Sequence, residues 1–337
     1  MQQFIDKFSF LGRQMAETDF VPEDILEQAR AENPWFTGAQ IRHAIMSMAI
    51  DWLQTEKLEK WLAGYSDYFP TKQPHNIGLV MAGNIPLAGF QDLLCVLASG
   101  NKALIKTSSK DRVLTHFMIQ AIERIWPEMN ARIKIIEKLK SADAVIATGS
   151  NNSGRYFEQY FSKYPHIIRK NRNAVAVLSK DDNLKTIEAF GHDIFQYYGL
   201  GCRNVSKLML PQGFDFDTFF IGLQSFSDII SHYKYKNNYE YNRTLLLLNK
   251  EKHYASDFLI LKEDRVIASP VSVLNYEYYT DKEQLEKAFE GQAEQIQCIV
   301  SNMPLTMHYV KPGQAQRPAL WDYADGVNTL DFLKSLN

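Results

Sequence analysis

From Asn76 onward the chain alternates short apolar runs with longer amphipathic stretches, and no other feature constrains its fold as tightly. Asn76-Ile-Gly-Leu-Val-Met-Ala, Lys102-Ala-Leu-Ile-Lys106, a KIIE run and ADAVIAT ending at Thr148 read as strands, with LAGFQDLLCVLASG and THFMIQAIERIW as helices between them. Strands separated by helices require crossover connections, and these build a mostly parallel sheet. The same grammar returns further on. Helix RYFEQYFSKY, strand Asn173-Ala-Val-Ala-Val-Leu178, helix KTIEAFGHDIFQYYG and strand VSKLMLP follow in order. Strands LLLLN, FLILK and VSVLNYEYY, helix DKEQLEKAFEGQAEQI and strand CIVSN complete the alternation. With 337 residues there is room for two such α/β units.

The first seventy residues read as helices instead. Thr37 is placed to N-cap GAQIRHAIMSMAIDWLQTEKLEKWLAGY, in which Ile41, Ile45, Met48 and Leu53 recur at helical spacing. Trp35, Trp52 and Trp61 in or beside this stretch read as core. Gly100 is the expected C-cap of the helix before Lys102. The resulting division is a helical segment over 1–70, a nucleotide-binding domain over 71–180, a catalytic domain over 181–306 and a tail over 307–337 that returns to the cofactor domain.

Charge excludes several functions. A net charge of -2 supplies no field for nucleic acid or anionic lipid. Asp6 and Lys7 interrupt the apolar run a signal peptide would need, and no stretch reaches the roughly 18 apolar residues of a membrane span. Three cysteines without CxxC spacing give neither a disulfide framework nor a zinc site, and the eight histidines form no metal-binding pattern. No metal and a cytoplasmic location are therefore expected.

Two loops can carry chemistry. Gly149-Ser-Asn-Asn-Ser-Gly154 follows a strand and opens a helix, where backbone N–H groups favour phosphate. Arg155 and Tyr156 stand where a nucleotide-triphosphatase loop needs Lys and Ser/Thr, which argues against that class. Gly199-Leu-Gly-Cys202-Arg-Asn places a thiol between glycines, and on context alone it is either a reactive group or a core residue. Cys95 and Cys298 lie in apolar elements and read as core.

Taken in order, Asn84, Gly100 to Lys106, Ala147-Thr-Gly-Ser150 with Gly154, and Gly201-Cys202 resemble the motif series of the aldehyde dehydrogenase superfamily. Within it the chain most resembles the long-chain acyl-CoA reductases, the fatty-acid reductases of bacterial bioluminescence; Gly313-Gln-Ala-Gln-Arg-Pro and Tyr323-Ala-Asp-Gly-Val add to that narrower match. The resemblance implies an aldehyde-dehydrogenase-like α/β fold of two Rossmann-like three-layer αβα domains. It implies Cys202 as nucleophile and Asn84 as oxyanion donor. It also implies Lys106 at the adenosine ribose and Thr148, Gly149 and Ser150 at the pyrophosphate, with Gly154 closing that loop. Arg169 or a neighbour stands where hydrolytic relatives keep a water-activating glutamate, and Val266 where many keep a glutamate on the nicotinamide ribose.

The function so implied is reduction of an acyl-CoA, or of an acyl group delivered by a partner enzyme, to the fatty aldehyde through an acyl-cysteine. Ser109, beside Lys110, stands where NAD-selective relatives place an acid, which implies NADPH. A helix terminus near Cys202 is expected to favour its thiolate. The stretch from Lys106 to Thr148 is short for the family's oligomerisation hairpin, so a homo-oligomer stays open. A cysteine acyltransferase or thioesterase, and a catalytically silent scaffold, are the alternatives.

Overall fold

A computed structural model describes residues 1–149 and 151–336. It divides into two compact units, one formed by Met1–Asn171 with Pro318–Asn337 and the other by Arg172–Arg317. The division falls before strand Asn173–Val177, not near Lys180, because that strand pairs inside the second sheet.

The first unit opens with helices α1 (Gln2–Met15), α2 (Glu23–Glu32), α3 (Gly38–Asp51) and α4 (Thr55–Leu62). Thr37 caps α3 as expected, its hydroxyl accepting from the Gln40 N–H. The single long helix expected beyond Thr37 is broken between Asp51 and Thr55, where Leu53 turns fully into the core. Strands β1 (Asn76–Val80) and β2 (Lys102–Lys106) flank α5 (Phe90–Ala98). Gly100 follows α5 at φ 85°, a left-handed residue that ends the helix as its sequence position suggested. Next come α6 (Arg112–Ile125), β3 (Ile133–Ile135), β4 (Ala144–Thr148), α7 (Asn151–Phe161) and β5 (His166–Arg169). All pairings are parallel, in the order β3-β2-β1-β4-β5. Ile77, Leu79, Leu94, Ala103, Ile105 and Ile122 are buried in this unit's core. The N-terminal helices pack onto the same unit, α2 against α6 and α1 against α3, α4 and α6.

The second unit contains β6 (Asn173–Val177), α8 (Leu184–Phe195), β7 (Val205–Pro211), α9 (Phe216–Gly222) and α10 (Tyr233–Leu248). After them come β8 (His253–Ala255), β9 (Ile260–Glu263), β10 (Val273–Tyr279), α11 (Lys282–Glu290) and β11 (Ile296–Ser301). The sheet order is β11-β6-β7-β10-β9-β8, parallel except for the β8–β9 pair. Side chains alternate across it as strand geometry demands. Ala174 and Ala176 pack with Phe190 and Ile194 of α8, whereas Val175 and Val177 pack with Leu285 and Phe289 of α11. Helices therefore cover both faces, giving the expected three layers.

The LLLLN run expected as a strand is the end of α10. Tyr235, Tyr239, Asn242 and Leu246 form its buried face at helical spacing, and only one of the four leucines joins them. Leucine is a strong helix former, so the helix continues through the run.

Candidate active site

Five of the residues expected to bind the cofactor, Lys106, Ser109, Thr148, Gly149 and Gly154, lie at or just beyond the carboxyl ends of strands in the first sheet. Lys106 ends β2 and Thr148 ends β4, flanking β1, which pairs with both. Open parallel sheets bind ligands outside the carboxyl ends of their strands, where the strand order reverses. That reversal is at β1 and β4 here. Lys106 is exposed and its ammonium donates to the Glu137 carbonyl at 3.0 Å. Thr148 and Gly149 are half-buried, and the Gly149 N–H donates to the Arg169 carbonyl at 3.3 Å. Gly154, in the first turns of α7, is buried; a Cβ there would lie 3.4 Å from Lys170. Ser150 lies outside the described residues. Ser109 and Lys110 are exposed in the loop after β2.

Asn84 is exposed in the loop that follows β1. Two side chains grip that loop. Asn33 donates to the Gly83 carbonyl at 3.3 Å, and the Leu87 N–H donates to Asp111 at 2.7 Å. Leu87 takes the left-handed conformation at φ 56°, which its bond to Asp111 helps to hold. Asp111 is 2% exposed, and burial pushes its carboxyl well above the usual range. It is a buried anchor two residues beyond Ser109, and the loop from Lys106 to Lys110 offers no carboxylate of its own.

Arg169 ends β5 with its guanidinium buried. It forms an ion pair with Asp92 of α5 and donates to the Thr329 hydroxyl at 2.9 Å. Burial alone would lower its pKa, but the Asp92 carboxylate overrides this and the net direction is upward. A permanently protonated guanidinium cannot take a proton from water.

Cys202 belongs to the second unit, in the loop between α8 and β7, and is the exposed cysteine of the three. Cys95 and Cys298 are buried; burial pushes the Cys95 thiol well up and the Cys298 thiol to about 12. The chain leaves α8 through three left-handed residues, Tyr197 at φ 52°, Tyr198 at φ 58° and Gly199 at φ 78°. The helix end preceding Cys202 is thus the carbonyl end of α8. Its dipole is negative there, opposite in sign to the terminus expected to favour a thiolate.

Asn204, 1% exposed, closes this loop. Its Oδ1 accepts from the Gly201 N–H at 2.7 Å. Its Nδ2 donates to the carbonyls of Asp193, Ile194 and Gln196 at 3.1, 3.3 and 2.7 Å. Asp193 of α8 is fully buried and accepts from the Gly313 and Ala315 N–H groups at 2.6 and 2.8 Å. Burial raises its carboxyl to about 7, against the lowering effect of those two donors.

The stretch containing Val266 is also held rigidly. Every carbonyl from Asp264 to Ala268 accepts from a buried side chain of β7 or β10. Lys207 donates to Asp264 and Arg265, Ser206 to Ile267, and Asn275 to Val266 and Ala268, at 2.7–3.3 Å. Lys207 is 1% exposed and is paired with Glu277. Val266 itself is exposed.

Asp111, Asn204 and Lys207 had no assigned role in the sequence. Asn204 lies two residues beyond the thiol already singled out, just before a strand, and that position is its only sequence mark. Among the described residues no cluster of three or more His, Cys, Asp or Glu side chains could hold a metal, and no helix is long and apolar enough to cross a membrane.

Comparison with solved structures identifies the fold class. The chain matches an oxidoreductase from Marinobacter aquaeolei with TM-score 0.66 and 12% identity, over 89% of this chain and 73% of that one. It matches an acetylating aldehyde dehydrogenase from Geobacillus thermoglucosidasius with TM-score 0.63 and 12% identity, over 95% and 85% respectively. The fold is that of the aldehyde dehydrogenases. Residues 40–213 match the family model described as Acyl-CoA reductase (LuxC), and the chain belongs to that family. It is also 26% identical over 164 residues to the long-chain acyl-protein thioester reductase of Aliivibrio fischeri, covering 43% of this chain and 34% of that relative's length. This chain therefore aligns with about a third of that curated relative.

Proposed function

We propose that this chain reduces a long-chain acyl thioester to the fatty aldehyde with NADPH, through a covalent acyl group on Cys202. The observation that carries this reading is the contrast among the thiols: Cys202 is exposed, while Cys95 and Cys298 are buried and held protonated. Family membership and the long-chain acyl-protein thioester reductase relative support the substrate class. The donor is acyl-CoA or an acyl group handed over by a partner acyl-transferring enzyme, and the setting is cytoplasmic.

In this reading the Cys202 thiolate attacks the acyl carbonyl carbon, forming a C–S bond and a tetrahedral oxyanion. The family resemblance assigns the Asn84 amide and the Cys202 N–H as donors to that oxyanion; loss of one such donor typically costs about 10²–10³ in rate. The bond to the coenzyme A sulfur then breaks, and the departing thiolate takes a proton from solvent. When bound, NADPH supplies the hydride that the acyl carbon accepts. On the family resemblance Lys106 would hold its adenosine ribose, and Thr148, Gly149, Ser150 and Gly154 its pyrophosphate. The C–S bond of the resulting Cys202 thiohemiacetal anion then breaks as its oxyanion reforms the carbonyl, releasing aldehyde and returning the Cys202 thiolate. Arg169 cannot activate water, which fits an acyl-enzyme that waits for hydride.

The test is mass spectrometry of the protein mixed with palmitoyl-CoA, with and without NADPH. One adduct on Cys202 that disappears on adding NADPH, with matching loss of NADPH absorbance, is expected. Cys202→Ala should abolish both signals. Release of many equivalents of free coenzyme A per chain without NADPH, beyond the single one that acylation of Cys202 frees, would make the chain a thioesterase instead, and NADPH oxidation persisting in Cys202→Ala would sink the mechanism.

A further inference from the structure

Three consecutive left-handed residues between α8 and Cys202 are an expensive way to end a helix. Such residues persist only where their surroundings over-determine them. Asn204 ties together the two ends of this segment. Its amide makes four hydrogen bonds, one to the Gly201 N–H and three to carbonyls at the end of α8. Its backbone adds two more: its N–H donates to the Gly201 carbonyl at 3.1 Å, and its carbonyl accepts from Ala174 of β6 at 3.1 Å.

We propose that Asn204 is the positioning residue of the nucleophile loop: it fixes the Gly201–Cys202 backbone and quenches the carbonyl end of α8 beside the thiol. This rests on the assignment of Cys202 as nucleophile. The last carbonyls of a helix lack intrahelical donors and carry the negative end of its dipole. The Asn204 amide joins those carbonyls to the Gly201 N–H, next to Cys202, where that field opposes ionisation of the thiol. Its Nδ2 is the donor turned toward the helix end, while its Oδ1 holds the Gly201 N–H and its backbone N–H the carbonyl of the Gly201–Cys202 peptide. Arg203 next in sequence, Asp193 on α8 and Cys202 each act electrostatically on Cys298 of β11, and Tyr197 and Tyr198, the latter packed against His232, also belong to the loop. Asn204 bonds both the Gly201 N–H and the helix carbonyls. An amide does so because it carries an acceptor and two donors on one short side chain.

The test uses the full chain with Asn204→Ala and Asn204→Asp. The aspartate can still accept from Gly201 but cannot donate to three carbonyls. Iodoacetamide labelling of each cysteine is followed across pH by peptide mass spectrometry, alongside kcat and KM for palmitoyl-CoA reduction. The Cys202 labelling midpoint should rise by about half a pH unit in Asn204→Ala and further in Asn204→Asp, the size expected of an unquenched helix end. The turnover number should fall about tenfold, KM should stay within twofold, and Cys95 and Cys298 should remain unlabelled. Unchanged labelling and kcat in either folded variant overturns the proposal. So does labelling of Cys95 and Cys298 in both variants, which would make Asn204 a stability residue only. A shifted Cys202 midpoint in a protein that reduces no thioester would sink the reductase reading and leave Asn204 in its role.

Discussion

Arg169 at the end of β5 and Asp92 in α5 form an ion pair buried within the first unit, with the Thr329 hydroxyl as a third member. The geometry ties one edge strand of the sheet to a helix and to the C-terminal helix Thr329–Lys334. Removing one charge strands the other in a low-dielectric site, which typically costs about 3–5 kcal/mol. Arg169→Met should therefore lower stability by that order in urea denaturation. Asp92→Leu combined with Arg169→Met should recover much of it, since an apolar pair leaves no charge stranded. Equal instability of the single and double variants would show that packing dominates.

Trp61 of α4 donates its indole N–H to the Tyr323 hydroxyl at 2.7 Å, and Trp52 donates to the Pro318 carbonyl at 2.8 Å. These two bonds hold the returning C-terminal segment onto the N-terminal helices of the first unit. Trp61→Ala should cost about 3–5 kcal/mol through the lost volume. Trp61→Phe should cost nearer 1 kcal/mol, mainly the hydrogen bond. Trp52→Ala should lower the melting temperature while leaving KM for NADPH within twofold; a large rise in that constant at unchanged melting temperature would mean these rings line a binding surface.

Asp193 gives the protein a pH signature. Its carboxyl sits at about 7 in the fold, against about 3.9 in an unfolded chain. Between those values the folded state keeps a proton that the unfolded state loses. Stability from this group is therefore fully present below pH ~4 and declines as pH rises through 7, by on the order of a few kcal/mol. The melting temperature of the unmodified protein relative to Asp193→Asn should fall between pH 5 and pH 8. Parallel curves for the two proteins would show that Asp193 is charged throughout.

Ser109 is the position proposed to set cofactor choice. The exposed loop from Lys106 to Lys110 carries two lysines and no carboxylate, a composition that favours a 2′-phosphate. NADPH should be preferred over NADH in kcat/KM. Ser109→Glu should shift that ratio toward NADH by about tenfold, equivalent to about 1.4 kcal/mol. Equal efficiency with both cofactors in the unmodified protein would end this assignment.

Much of the architecture can be read from local pattern alone. Apolar runs separated by amphipathic helices specify parallel α/β units, because both element types must bury a face and crossovers can do so only in layers. Thr37 and Gly100 mark their helix ends because capping is a matter of one side chain or one left-handed residue. Local pattern fails where burial depends on distant partners. Strand β5 was not anticipated, since HIIR is short and its pairing with β4 is what makes it a strand. The four leucines at 245–248 look like a strand until the buried tyrosine ladder before them shows the helix continuing.

The residue types for a thiol-based site, Cys202 and Asn84, were thus set by the sequence and its motif order. Which cysteine is exposed, which acids are buried and which asparagine bonds the loop before β7 were decided only by folding. Each depends on desolvation and on hydrogen bonds between segments remote in the chain: Cys298 is buried in the second unit's core, Asp193 bonds Gly313 and Ala315 from α8, and Asp111 bonds Leu87. Such contacts leave no periodicity in the sequence, because a buried polar group is defined by its surroundings and not by its neighbours along the chain.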